Sequence, residues 1–71
     1  MKGEEYQRIV ERLDLTKGGA AEFLDVDYTT SKRWMYNKHP IPRSVALLLR
    51  VMIFHKLAVA DVLALLKRKP K

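Results

Sequence analysis

His39 and His55 are the only imidazoles in this 71-residue chain, cysteine is absent, and no cluster of acids surrounds either histidine. Zinc sites need three or four such ligands, so no metal or cofactor is expected. No nucleophile–base pair and no carboxylate pair stands out, so an enzyme is not expected either. The lack of cysteine suits a reducing cytoplasm. Hydrogen-bond donation is the chemistry that does stand out. Residues 25–38 read DVDYTTSKRWMYNK, with two tyrosines, one tryptophan and three cations, and with no acid after Asp27.

Set on a helix at about 100° per residue, Tyr28, Lys32, Tyr36, Thr29 and Arg33 fall within a single arc of about 140°. Thr30 and Trp34 fall on the opposite side, which makes Trp34 the expected core anchor. The arc is composed entirely of donors and holds no acid. Arginine can pair with guanine O6 and N7, and threonine can meet a thymine methyl group or a polar base edge. Such a face suits a partner covered in acceptors.

The charge of the whole chain points the same way. Residues 1–27 carry four Lys/Arg against seven Asp/Glu, whereas residues 28–71 carry ten against one. A net charge of +6 placed this unevenly leaves a basic surface for a polyanion, nucleic acid first and an anionic membrane second. The longest apolar run, residues 45–49, stops at Arg50, far short of the roughly 20 residues that span a bilayer. The first twelve residues contain no apolar stretch of the signal-peptide kind.

Five short helices are expected to position the arc, giving an all-α, single-domain architecture over 1–71. Tyr6, Ile9, Val10 and Leu13 recur at helical spacing over residues 4–13, with Glu4 and Glu5 in the first turn. Thr16 is the expected N-cap of a second helix, KGGAAEFL, in which Gly18 and Gly19 weaken helix formation. A three-residue connection, Asp25-Val26-Asp27, leads to a third helix capped by Asp27 and ended by Asn37 in the left-handed conformation. HisProIlePro at 39–42 breaks the chain. A fourth helix is expected at about 43–55 and a fifth at about 58–68, followed by a basic tail, 67–71.

A short helix, a three-residue turn and a donor-rich helix make the helix-turn-helix pattern, here at about 16–37. The string LDLTKGGAAEFLDVDYTTSKRWMYNKHPIP resembles the helix-turn-helix of the Cro and phage-repressor family of DNA-binding proteins. Leu15 and Thr16, the small Ala21, Leu24-Asp25-Val26, Arg33-Trp34 and the NKHPIP exit carry the likeness, which covers about residues 4–54. The resemblance implies base-reading roles for Tyr28, Thr29, Lys32 and Arg33. It implies phosphate contacts for Lys17, Tyr36, Lys38 and Arg43. Asp25 stands where the family usually has glycine, and Ser31 replaces a usual Val or Ile, which is expected to loosen the packing of the third helix. Gly19 and Ala20 are expected to thin the second helix in the same way.

From Val45 to Phe54 the chain is apolar at nine of ten positions. A helix apolar all round must be covered all round, either by the fifth helix or by a homodimer interface that the fourth and fifth helices build with a second copy of the chain. The expected function is a dimeric, sequence-specific regulator that binds double-stranded DNA at a pseudo-palindrome, a repressor of a phage, plasmid or bacterial operon acting in the cytoplasm. The alternatives are a module of the same fold that binds an acidic protein, as an antitoxin or phage adaptor does, and a membrane-surface binder using Lys67–Lys71.

Overall fold

A computed structural model describes residues 1–66, which form five α-helices: α1 (Gly3–Arg12), α2 (Lys17–Leu24), α3 (Tyr28–Met35), α4 (Arg43–Phe54) and α5 (Val59–Leu66). No strand occurs among the described residues. The all-α architecture expected from periodicity is therefore present, with boundaries within a residue or two of those expected. The basic tail, 67–71, lies outside the described residues, as does the end expected for the fifth helix.

α1 to α4 all finish in the same way. The residue just past each helix is left-handed, with φ of 62° at Asp14, 58° at Asp25, 60° at Asn37 and 57° at Lys56. Each allows the following N–H to reach five residues back: Leu15 to the Val10 carbonyl, Val26 to Ala21, Lys38 to Arg33 and Leu57 to Met52. This reversal satisfies carbonyls that the helix leaves open, and glycine usually supplies it. Here Asp and Asn, which tolerate the conformation, supply three and Lys56 supplies the fourth.

Local chemistry also sets the helix starts. The Thr16 Oγ1 accepts from the Gly19 N–H at 2.9 Å, as its capping position predicts. Asp27 occupies the cap position of α3, but its side chain makes no capping bond, which corrects that part of the expectation. At α5, Asp61 reaches back to accept from the Ala58 N–H at 2.9 Å.

The core joins α1, α2, α3 and α4 through Tyr6, Ile9, Val10, Ala20, Trp34, Met35, Leu49 and Met52. Trp34 is buried, as the wheel predicts, and meets Tyr6 edge-on at 5.8 Å between ring centres. Ser31 contributes a contact that its small size does not announce. It is fully buried, and its hydroxyl lies 2.7 Å from the Tyr6 hydroxyl, so it ties α3 to α1 where loosened packing was expected. Burial pushes the Tyr6 phenol up from its ordinary value, with the Ser31 bond opposing.

α1 and α3 also meet end to end. The Gly3 N–H donates to Asn37 Oδ1 at 2.9 Å, and the Gln7 amide donates to the Met35 carbonyl at 2.8 Å. Gly3 is required by this approach, because a Cβ there would collide with the Met35 carbonyl.

α4 buries Ala46, Leu49 and Met52 but leaves Leu47, Val51 and Phe54 in solvent, Phe54 at 82% exposure. Val59 and Val62 of α5 lean on the core, and Val62 shares a groove with Phe23, Leu24, Val45 and Leu48. Among the described residues, the fifth helix thus covers one flank of the fourth.

Candidate nucleic-acid interface

α3 separates its residues by side. Ser31, Trp34 and Met35 point inward, and that anchoring turns Tyr28, Thr29, Lys32 and Arg33 outward. Together with Tyr36 and Lys38 they line an open concavity of about 240 Å³. Six of the eight residues expected to contact DNA therefore share one surface.

Lys17 joins them from the first position of α2. Its ammonium donates to the Tyr36 hydroxyl at 3.3 Å and stands 5.9 Å from the centre of that ring. The left-handed Asp25 makes this possible by reversing the chain between α2 and α3. Arg43 opens α4 and is exposed, but among the described residues no hydrogen bond or ion pair ties it to the concavity. The eighth expected contact is thus displayed separately.

Within the concavity, the Lys32 ammonium sits 5.6 Å from the centre of the Tyr28 ring. A cation over an aromatic face is attracted by the ring's negative face and keeps its charge available to a second partner. The i, i+4 spacing of Tyr28 and Lys32 on a helix carried that signal. The Lys17–Tyr36 pair, 19 residues apart, had no local signal in the sequence.

Two acids of α1, Glu4 and Glu5, are engaged elsewhere. Glu5 forms a two-pronged pair with Arg50 at 3.0 Å, and the Arg50 side chain holds the Glu5 carboxyl below its ordinary value. The backbone N–H of Glu4, and secondarily the Asn37 side chain, lower the Glu4 carboxyl. Glu5–Arg50 is the one ion pair among the described residues, so Lys17, Lys32, Arg33, Lys38 and Arg43 are all unneutralised by a contacting acid. Such a surface concentrates positive potential and can hold phosphate or other anionic groups.

Among the described residues, no group of three His, Cys, Asp or Glu is placed to hold a metal ion, and no helix is long and apolar enough to cross a membrane. No protein-family model, no curated protein and no solved structure matches the chain.

Proposed function

We propose that this chain binds double-stranded DNA sequence-specifically, as a small dimeric transcriptional repressor in which α2, the Asp25–Asp27 turn and α3 act as a helix-turn-helix. The observation that carries it is the outer face of α3, where Tyr28, Thr29, Lys32 and Arg33 stand exposed around a concavity with no acid in its lining. A helix of this kind enters the major groove with its N-terminal residues toward the base edges. Tyr28, Thr29, Lys32 and Arg33 then discriminate bases. Lys17, Tyr36, Lys38 and Arg43 contact phosphates and set register.

A single eight-residue helix reads few base pairs, so two copies on a pseudo-palindrome are part of the proposal. Leu47, Val51 and Phe54 form an apolar stripe at i, i+4 and i+7 on the open side of α4, and Leu63 and Leu65 of α5 are also exposed. These residues are the surface offered to the partner chain.

Selection of bound sites from a random duplex library tests the function. The expected result is a palindromic consensus with half-sites about one helical turn, roughly 34 Å, apart. Arg33→Ala should relax one position per half-site at a cost of about 1–3 kcal/mol. Lys38→Ala should weaken all sequences alike and lower the salt slope by about one per contact. Salt-dependent binding with no consensus would refute sequence-specific recognition and favour an acidic protein as the partner of the same basic face.

A further inference from the structure

The composition of the α3 face limits which bases it can read. In the major groove adenine and cytosine each present an amino donor, and proteins usually meet these with the amide of Asn or Gln or with a carboxylate. Guanine presents two acceptors, N7 and O6, and needs only donors. The chain contains one asparagine and one glutamine, Asn37 and Gln7. Both are spent at the junction of α1 and α3. Asn37 Oδ1 accepts from the Gly3 N–H and its Nδ2 reaches Glu4, while the Gln7 amide donates to the Met35 carbonyl. No amide remains for adenine, and Asp27, the carboxylate just before the helix, lies outside the lining of the concavity.

The donors, by contrast, are in place. Lys32 is held over the Tyr28 ring at 5.6 Å, toward the N-terminal end of α3. Arg33 is exposed beside it with no acid in contact. The Lys17–Tyr36 pair and Lys38 cluster at the C-terminal end of the same face, where a phosphate would fix the helix and leave Lys32 and Arg33 directed at bases.

We infer that the α3 face is a guanine reader: resting on the DNA-binding function proposed above, it selects G·C pairs through guanine N7 and O6, with Arg33 and the Tyr28-supported Lys32 as donors. Tyr28 is a positioning residue for Lys32. Adenine and cytosine meet no amide or carboxylate on this face, and thymine offers the donors only the single O4 acceptor beside its methyl group, so guanine's paired acceptors are the contacts this face favours.

The experiment takes the full chain and the consensus selected from random duplexes, then replaces each guanine in turn by 7-deazaguanine, which keeps pairing but lacks N7. Wild-type affinity should fall about tenfold at one or two guanines per half-site. Arg33→Met or Lys32→Met should abolish the penalty at its own guanine while leaving thermal melting unchanged, since both side chains are exposed. Tyr28→Phe should keep the Lys32-dependent penalty and Tyr28→Ala should lose it. A consensus in which no guanine is sensitive, or in which N6-methyladenine costs as much as 7-deazaguanine, overturns the inference while leaving DNA binding intact. Absence of any consensus removes the sequence-specific DNA-binding function proposed above, and guanine reading with it.

Discussion

Removing the buried Tyr6–Ser31 hydrogen bond should reveal how firmly α3 is held. Both residues are fully buried, their hydroxyl oxygens are 2.7 Å apart, and no buried side-chain polar atom among the described residues lacks a partner. Ser31→Ala leaves the tyrosine hydroxyl buried with nothing to bond, a cost of about 1–3 kcal/mol. Tyr6→Phe leaves the serine hydroxyl, which can rotate to its own helix carbonyl four residues back, so about 0.5–1.5 kcal/mol is expected. The double variant removes both polar groups and should resemble Tyr6→Phe alone, giving a coupling energy as large as the Ser31→Ala cost, about 1–3 kcal/mol. A domain of this length has a total stability of about 4–10 kcal/mol, so the Ser31→Ala loss is a large fraction of it.

Urea unfolding of the four proteins, followed by far-UV circular dichroism, measures the cycle directly. Ser31→Ala alone should lower the melting temperature by about 4–8 °C for each kcal/mol lost. Strict additivity, with the double variant as destabilised as the two single variants together, would show that the bond does not couple α1 to α3. A neutral Ser31→Ala would show that the tyrosine hydroxyl is satisfied in some other way.

Four further outcomes are expected. Gly3→Ala should destabilise the fold by about 1–3 kcal/mol in thermal melts, because its Cβ meets the backbone carbonyls of Met35 and Trp34, which cannot swing aside as a side chain can. Lys56→Gly should stabilise by about 0.5–1 kcal/mol in urea unfolding: the left-handed conformation costs an ordinary residue about 1–2 kcal/mol, and glycine returns part of that as unfolded-chain entropy. The Tyr6 phenol is raised above 10.0 in the folded chain, so stability should be undiminished below pH 10 and fall as pH rises from there toward the folded value, because the unfolded chain gives up its proton first. Tyr6→Phe should lose that pH dependence in alkaline melts. Phe54→Lys, at the most exposed apolar position, should leave circular dichroism unchanged, lower the dimer fraction in sedimentation and weaken palindrome binding more than half-site binding.

Features governed by near neighbours were legible in the sequence. Thr16 caps α2 through a bond three residues on, Asn37 ends α3 through its own left-handed geometry, and Trp34 is buried because of where the helical period turns it. Lys56 escaped notice because lysine carries no preference for the conformation that its position demands. The Ser31 bond went unread because it depends on a tyrosine 25 residues earlier, a separation that no periodicity encodes. The cover of α4 was undecidable for a similar reason. Apolar residues all round a helix announce that cover is needed, but the path of α5 determines which flank receives it.

The junction between α1 and α3 connects these long-range features to the candidate site. Gly3, Asn37, Gln7, Tyr6 and Ser31 form one set of contacts from the start of α1 to the buried side and C-terminal end of α3. Because this set fixes the rotation of α3, it also determines that Lys32 and Arg33, and not Ser31 and Trp34, face outward. The same contacts engage Asn37 and Gln7, the chain's only amide side chains. Under the proposed function, stability and specificity draw on a single arrangement, and a variant that frees Asn37 should alter both. Gly3→Ala is the informative case: by displacing the N-terminus of α1 it releases the Asn37 amide beside Tyr36 and Lys38. If the chain reads guanine as proposed, the selected consensus should shift toward adenine at the edge of the half-site while the guanines assigned to Lys32 and Arg33 persist. A Gly3→Ala protein that is less stable but selects an unchanged consensus would show that the junction serves the fold alone.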